Sequence, residues 1–155
     1  MLATGALSAG QSYLLGSVKM KKRVFFLCTG NSARSQMAEG ILRSKASDRA
    51  EVFSAGTKPK GVNPLSIQVM QEVGIDISKQ ESKDLSLFAR EKFDWVITVC
   101  DRAKEACPVF PGAKTIHWSL PDPEDLLSFR GVRDDLMVRM EHFLREHFLS
   151  DPKHS

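Results

Sequence analysis

The chain is short of cysteine, has no long apolar run and carries no basic stripe, and each shortage removes a class of protein. Three cysteines in 155 residues, an odd number without framework spacing, do not make a disulfide scaffold. They suit a reducing cytoplasm in which thiols do chemistry. No stretch is apolar for long enough to cross a bilayer, so no membrane association is expected. The net charge is only +3, and Lys and Arg are interspersed with acids, which leaves no electrostatic footprint for nucleic acid. The four histidines, His117, His142, His147 and His154, have no metal-ligand spacing with the cysteines, and no metal site is expected. Internal repeats and domain linkers are absent, and the length suits one domain with a core that folds without staples.

Residues 1–19 begin with eighteen uncharged positions rich in Gly, Ser and Ala, before Lys19, Lys21, Lys22 and Arg23 arrive together. A secretory signal places its positive charge ahead of the apolar stretch, and here the order is reversed. The expected organisation is a flexible N-terminal extension (1–19), a folded domain (20–150) and a short tail (151–155).

Strand-like runs at Arg23 to Leu27, Glu51 to Ser54, Trp95 to Val99 and Lys114 to Trp118 alternate with helical patterns. Those patterns cover Ala33 to Ala46, Pro64 to Val73, a shorter stretch around Leu85 to Glu91, and a long final segment. Such alternation predicts an α/β fold with a parallel sheet covered by helices. In the final segment Phe129, Val132, Leu136, Met140, Phe143, Leu144 and Phe148 recur at helical spacing, which marks a face buried on the sheet. In an open sheet of this kind ligands bind beyond the carboxyl ends of the strands, where the Cys28 loop, Ser54-Ala-Gly56 and Cys100 all fall.

The most informative segment is Cys28-Thr29-Gly30-Asn31-Ser32-Ala33-Arg34-Ser35, which joins the first strand to the first helix. A strand-to-helix junction aims backbone N–H groups and the positive helix end at one spot, where an oxyanion binds. Gly30 is read as relieving a tight turn, Asn31 as holding a left-handed conformation, and Arg34 as offering a planar fork to a tetrahedral anion. Cys28 is then a nucleophile beside a bound oxyanion, in a field that favours its thiolate.

Cys100 follows a buried strand, and Cys107 follows Asp101 to Ala106. If that intervening segment is helical, a rise of about 1.5 Å per residue over seven residues puts the two alpha carbons about 10 Å apart, beyond the roughly 7 Å limit of a disulfide. Joining them then requires the segment to unwind, which gives a compact reduced state and a displaced oxidised one. The alternative is two unrelated cysteines, one in the core and one before Pro108. A reactive Cys28 favours the pair, because an activated thiol needs a resolving partner. Displacement of oxygen from a bound oxyanion also needs a proton. Asp122, stiffened by Pro123, is either that acid or a helix cap, while Glu124 and Asp125 sit where helix-start acids are common.

From Lys22 onward nearly the whole chain resembles the thioredoxin-coupled arsenate reductases, which share the fold of low-molecular-weight protein tyrosine phosphatases. CTGNSARSQMAEG, FSAGT, GVNP, VGIDIS, VITVCDRAKEACP, HW and DP appear in order. The resemblance implies a four-stranded parallel sheet flanked by helices, Rossmann-like in outline. It also implies a reaction: Cys28 attacks arsenate held by Arg34 and the loop amides of residues 29–35, and Asp122 protonates the leaving hydroxide. Cys100 then attacks Cys28, Cys107 attacks Cys100, and thioredoxin reduces the resulting disulfide without any tightly bound cofactor. Ser35 matches the hydroxyl that supports the nucleophile, and phosphate or sulfate would be analogues of the substrate.

Some members of that group hold a monovalent cation near the loop, at positions matching Asn31, Glu39 and Ser54, with an acidic residue from the segment that is Ser82-Lys83 here. Lys83 is basic and stands in for the cation, so weak potassium dependence is expected. Phosphomonoester hydrolysis through a Cys28 phosphoenzyme is the competing activity, and an oxyanion-binding redox switch without turnover is a third. Glu124 follows Asp122-Pro123 where aryl phosphatases of this fold carry an aromatic residue, which disfavours the second. Nothing demands a dimer, and a monomer is expected.

Overall fold

The computed structural model describes residues 20–148, and the extension and tail read from residues 1–19 and 151–155 lie outside them. Four strands, β1 (Lys22–Cys28), β2 (Ala50–Gly56), β3 (Trp95–Thr98) and β4 (Lys114–His117), form one parallel sheet in the order β2-β1-β3-β4. The connections carry helices α1 (Arg34–Ala46), α2 (Pro64–Gln71) and α3 (Asp101–Ala106), and α4 (Leu126–His147) closes the fold.

The central strand shows why this sheet is parallel and covered on both sides. Val24, Phe25, Phe26 and Leu27 are all fully buried, so the strand is a continuous apolar run and not an alternating one. On one face Phe25 meets Phe93, Phe88 and Phe110 with ring centroids 4.6, 5.2 and 5.6 Å apart. On the other Phe26 faces Trp118, and Trp95 packs edge-on to Phe143 of α4 at 5.3 Å. Helices α1, α2 and α4 pack on one another. The face read from the last segment is the one buried, with Phe129, Leu136 and Met140 at or near zero exposure.

Helix starts follow local chemistry. Asn63 accepts from the Leu65 N–H at 2.8 Å ahead of Pro64, and Asp125 caps α4 in a reciprocal box with Ser128. The stretch expected to be helical to Glu91 is only a 3-10 turn, Leu85–Phe88. Leu85 and Phe88 pack against the core, but Ala89, Arg90 and Glu91 beyond them are exposed and offer no packing that would extend the turn. Helix α2 stops at Gln71, two residues earlier than its pattern, and the chain then turns through Gly74 at φ 80.

Helices α2 and α4 are tied by Glu72, which accepts from Arg130 and from Arg133, both at 2.7 Å. These hydrogen bonds and charges hold the Glu72 carboxyl at about 2, against an ordinary 4.5. A lowered folded-state value means that the stabilisation is complete above 4.5 and fades as pH falls toward about 2. Denaturant midpoints measured across that window should therefore converge for the natural chain and Glu72→Gln, with the natural chain ahead only on the less acidic side.

Candidate active site

Everything chemically notable gathers at the carboxyl ends of the strands. Cys28 ends β1 and pairs in register with Gly56, the end of β2, while Cys100 lies just past β3. Helix α1 begins at Arg34 behind Ala33, which offers no side-chain cap. Its first N–H groups therefore remain for the concave side of the loop.

Asn31 organises that loop. Its backbone sits at φ 45, as the sequence indicated for a residue tolerant of the left-handed region. Its Nδ2 donates to Ser35 Oγ at 2.8 Å and Ser54 Oγ at 2.9 Å. Its Oδ1 accepts from the Lys83 N–H at 2.8 Å and Gln36 Nε2 at 3.0 Å. All four hydrogen-bonding positions of the amide are used, which fixes its orientation. Ser35 Oγ, which accepts from Asn31, also lies within hydrogen-bond distance of Cys28 Sγ, 2.9 Å away. The Asn31 N–H donates to the same sulfur at 3.2 Å. The hydroxyl and the N–H thus converge on a thiol that is 3% exposed.

The expectation for Gly30 is corrected. Gly30 is not among the residues with positive φ, and a Cβ there would meet only the flexible Lys60 side chain. The glycine that the loop requires is Gly56, where a Cβ would stand 2.4 Å from the Thr29 carbonyl oxygen and 2.8 Å from the Asn31 nitrogen. Both neighbours are backbone and cannot give way.

Arg34 reaches across the site. Its Nη1 donates to the Leu120 carbonyl at 2.9 Å, and its Nη2 lies 3.6 Å from Asp122 Oδ1. Asp122 is 74% exposed, so the pair contributes little stability, about 0–1 kcal/mol. What it does is bring the carboxyl to the loop. The helix cap is Asp125, not Asp122, which frees Asp122 for chemistry.

All three thiols are free. Cys100 Sγ lies 3.4 Å from Thr29 Oγ1, against the Cys28 loop, and accepts the Ala103 N–H at the start of α3. Cys107 ends α3, half-exposed, with its thiol pushed up by burial. Helix α3 therefore separates the two, as their spacing required. A cavity of about 700 Å³ is lined by Cys28, Thr29, Arg34, Cys100 and Asp122 but not by Cys107. Lys58, Lys60 and Arg102 also line it, and the sequence reading missed them. The Lys58 and Lys60 N–H groups donate to the Thr29 and Gly30 carbonyls at 2.8 and 3.0 Å, which fastens both lysines to the rim. The available signal was Lys58-Pro-Lys60 directly after the β2 end.

Glu39, Ser54 and Lys83, read as a cation-site remnant, do adjoin Asn31. Ser54 Oγ donates to Glu39 Oε1 at 2.5 Å, Arg43 donates to Oε2 at 2.6 Å, and the Lys83 ammonium stands 3.8 Å from Oε1. A carboxylate already met by two cationic side chains does not fit a further cation. Among the described residues no group of three or more His, Cys, Asp or Glu is placed to hold a metal ion, and no helix is long and apolar enough to cross a membrane.

The fold and the loop define a parallel α/β protein whose first strand ends in a buried cysteine at the base of a strand-to-helix loop, with an arginine at the start of the helix. Residues 23–151 match the family model of the low molecular weight phosphotyrosine protein phosphatases, and the chain belongs to that family. Within it, the chain is 42% identical over 132 residues to an arsenate reductase of Halalkalibacterium halodurans, covering 79% of this chain and 95% of that one. A solved structure described as an arsenate reductase in oxidized state superposes with a TM-score of 0.74 at 35% identity, over 81% of this chain and 98% of its own. A Corynebacterium glutamicum thioredoxin-dependent arsenate reductase does so with a TM-score of 0.72 at 28% identity, over 88% of this chain and 66% of its own.

Gly56→Ala tests the loop geometry without touching a reacting atom. Calorimetric titration with inorganic phosphate should give an affinity at least about tenfold weaker than the natural chain, since displaced loop amides lose charge-assisted bonds. Unchanged affinity would mean that the close approach of Gly56 to Thr29 is unimportant.

Proposed function

We propose that this chain reduces arsenate to arsenite through a three-thiol relay that thioredoxin regenerates. The observation that carries the proposal is the second free thiol, Cys100, lying against the Cys28 loop at Thr29 while α3 spans to the third.

In this reading the Cys28 thiolate attacks arsenic, with the oxyanion held by Arg34 and the loop N–H groups. Asp122 gives its proton to the departing hydroxide, which leaves as water. Cys100 attacks Cys28 Sγ, the sulfur–arsenic bond breaks with its electron pair on arsenic, and arsenite departs. Cys107 then attacks Cys100 Sγ, Cys28 leaves as thiolate, and the Cys100–Cys107 disulfide passes to a thioredoxin dithiol. The rim of Lys58, Lys60 and Arg102 supports attraction of a multiply charged anion into the cavity. The names of the relatives agree with arsenate as the substrate, and one of them is called thioredoxin-dependent.

Hydrolysis of a phosphomonoester would need only Cys28, Arg34 and Asp122, and that difference makes the relay testable. With thioredoxin as the sole reductant, Cys28→Ser, Cys100→Ser and Cys107→Ser should each lower steady-state arsenite release more than about a hundredfold. Cys107→Ser should retain whatever aryl phosphate hydrolysis the natural chain has. Repeated turnover by Cys107→Ser would remove the third thiol from the relay.

Lys83 and Arg43 supply the positive charge that a cation would bring to Glu39. Potassium at constant ionic strength should therefore leave arsenite release unchanged within about twofold. A large potassium activation would contradict this assignment.

A further inference from the structure

Helix α3 is the element that the relay has to open, and little of it is held from within. Of its residues only Ala103 is buried, and its two ends are the two thiols themselves. The Asp101 side chain ties its first turn to the sheet. Asp101 Oδ1 accepts from His117 Nε2 at 2.8 Å and from Ser119 Oγ at 3.1 Å. His117 ends β4 opposite Thr98 in the strand register, and Thr98 Oγ1 meets its Nδ1 at 2.7 Å.

The proton positions follow from the partners. Bonds from His117 and Ser119 hold the Asp101 carboxyl below its ordinary range, so it is an acceptor only. His117 Nε2 therefore carries the proton shared with Asp101, and its Nδ1 lies 2.7 Å from the Oγ1 of Thr98, a side chain 6% exposed in the sheet. Gripped at both nitrogens, the imidazole has one orientation, aimed at the first residue of α3. Cys100, the residue just before Asp101, is thereby held against Thr29.

We propose that His117 and Asp101 form a latch between β4 and α3, a positioning pair that sets how readily the helix opens to join Cys100 to Cys107. The proposal rests on the relay reading and adds the element that restrains its last internal step. The latch opposes release in the reduced chain, and losing it shifts the thiol–disulfide balance toward the disulfide.

The test uses the full chain carrying Cys28→Ser, so that Cys100 and Cys107 are the remaining thiols. It is equilibrated in oxidised and reduced dithiothreitol, and the disulfide fraction is read by alkylation and mass spectrometry. Dithiothreitol supplies or accepts the two electrons, so the exchange is balanced. His117→Ala should raise the equilibrium constant for disulfide formation about threefold, the scale of an exposed pair. Asp101→Ala, which also releases Ser119 and removes a first-turn acid, should raise it about tenfold. With Asp101→Ala present, His117→Ala should add nothing. Asp101→Asn keeps an acceptor oxygen and should recover part of the natural balance. Full additivity of His117→Ala and Asp101→Ala overturns the latch, as does an unchanged balance in His117→Ala. If no Cys100–Cys107 disulfide forms in any variant, the relay fails and takes the latch with it. If the disulfide forms and only the shifts are missing, the latch fails alone.

Discussion

The site depends on one buried amide. Asn31 is fully buried at φ 45, and its side chain binds α1 through Ser35 and Gln36, β2 through Ser54, and the segment before the 3-10 turn through Lys83. A buried amide with an unmet donor or acceptor costs about 1–3 kcal/mol, so each of these bonds restrains the element on its far side. The chain of contacts ends at Cys28. Asn31 donates to Ser35, which lies within hydrogen-bond reach of the sulfur, and the Asn31 N–H donates to that sulfur directly. A conformational constraint at one residue in this way fixes the polar surroundings of another.

Positive charge is supplied around that thiol without a metal ligand set among the described residues. Helix α1 starts without a side-chain cap, Arg34 leans across from its first position, and Lys58, Lys60 and Arg102 line the mouth. The cradle itself is indifferent to whether phosphorus or arsenic sits in it. What separates the two chemistries lies on the far side of Thr29, where Cys100 waits at the head of a short helix. Phosphoryl transfer would restore Cys28 with water; the proposed relay would consume its thiol in each cycle and return it by exchange. In the proposed relay the cost of opening α3 becomes part of catalysis, and a helix with one buried residue keeps that cost small.

Much of this was legible in the sequence, for identifiable reasons. The sheet could be read because β1 is an uninterrupted apolar run and α4 repeats its apolar positions at helical spacing, both consequences of burial. Asn31 could be read because few other residues accept a left-handed backbone. The role of Gly30 was misjudged because the close approach is made by Gly56, which is distant in sequence and meets the loop only through strand pairing. Asp122 could be read as either acid or cap until the side-chain box of Asp125 with Ser128 took the cap position. Arg102 and the His117–Asp101 pair were hidden for the same reason as Gly56, each acting across a gap that only tertiary structure closes, whereas Lys58 and Lys60 flank Pro59 just after β2 and carried a readable signal.

The most direct measurement of the central claim is a single turnover without thioredoxin. The fully reduced chain is mixed with arsenate, quenched with an alkylating agent and mapped by mass spectrometry, while released arsenite is quantified. The account predicts one arsenite per chain, alkylated Cys28, and a disulfide joining Cys100 to Cys107. Three alkylated cysteines with no arsenite, or a stable disulfide that retains Cys28, would contradict it.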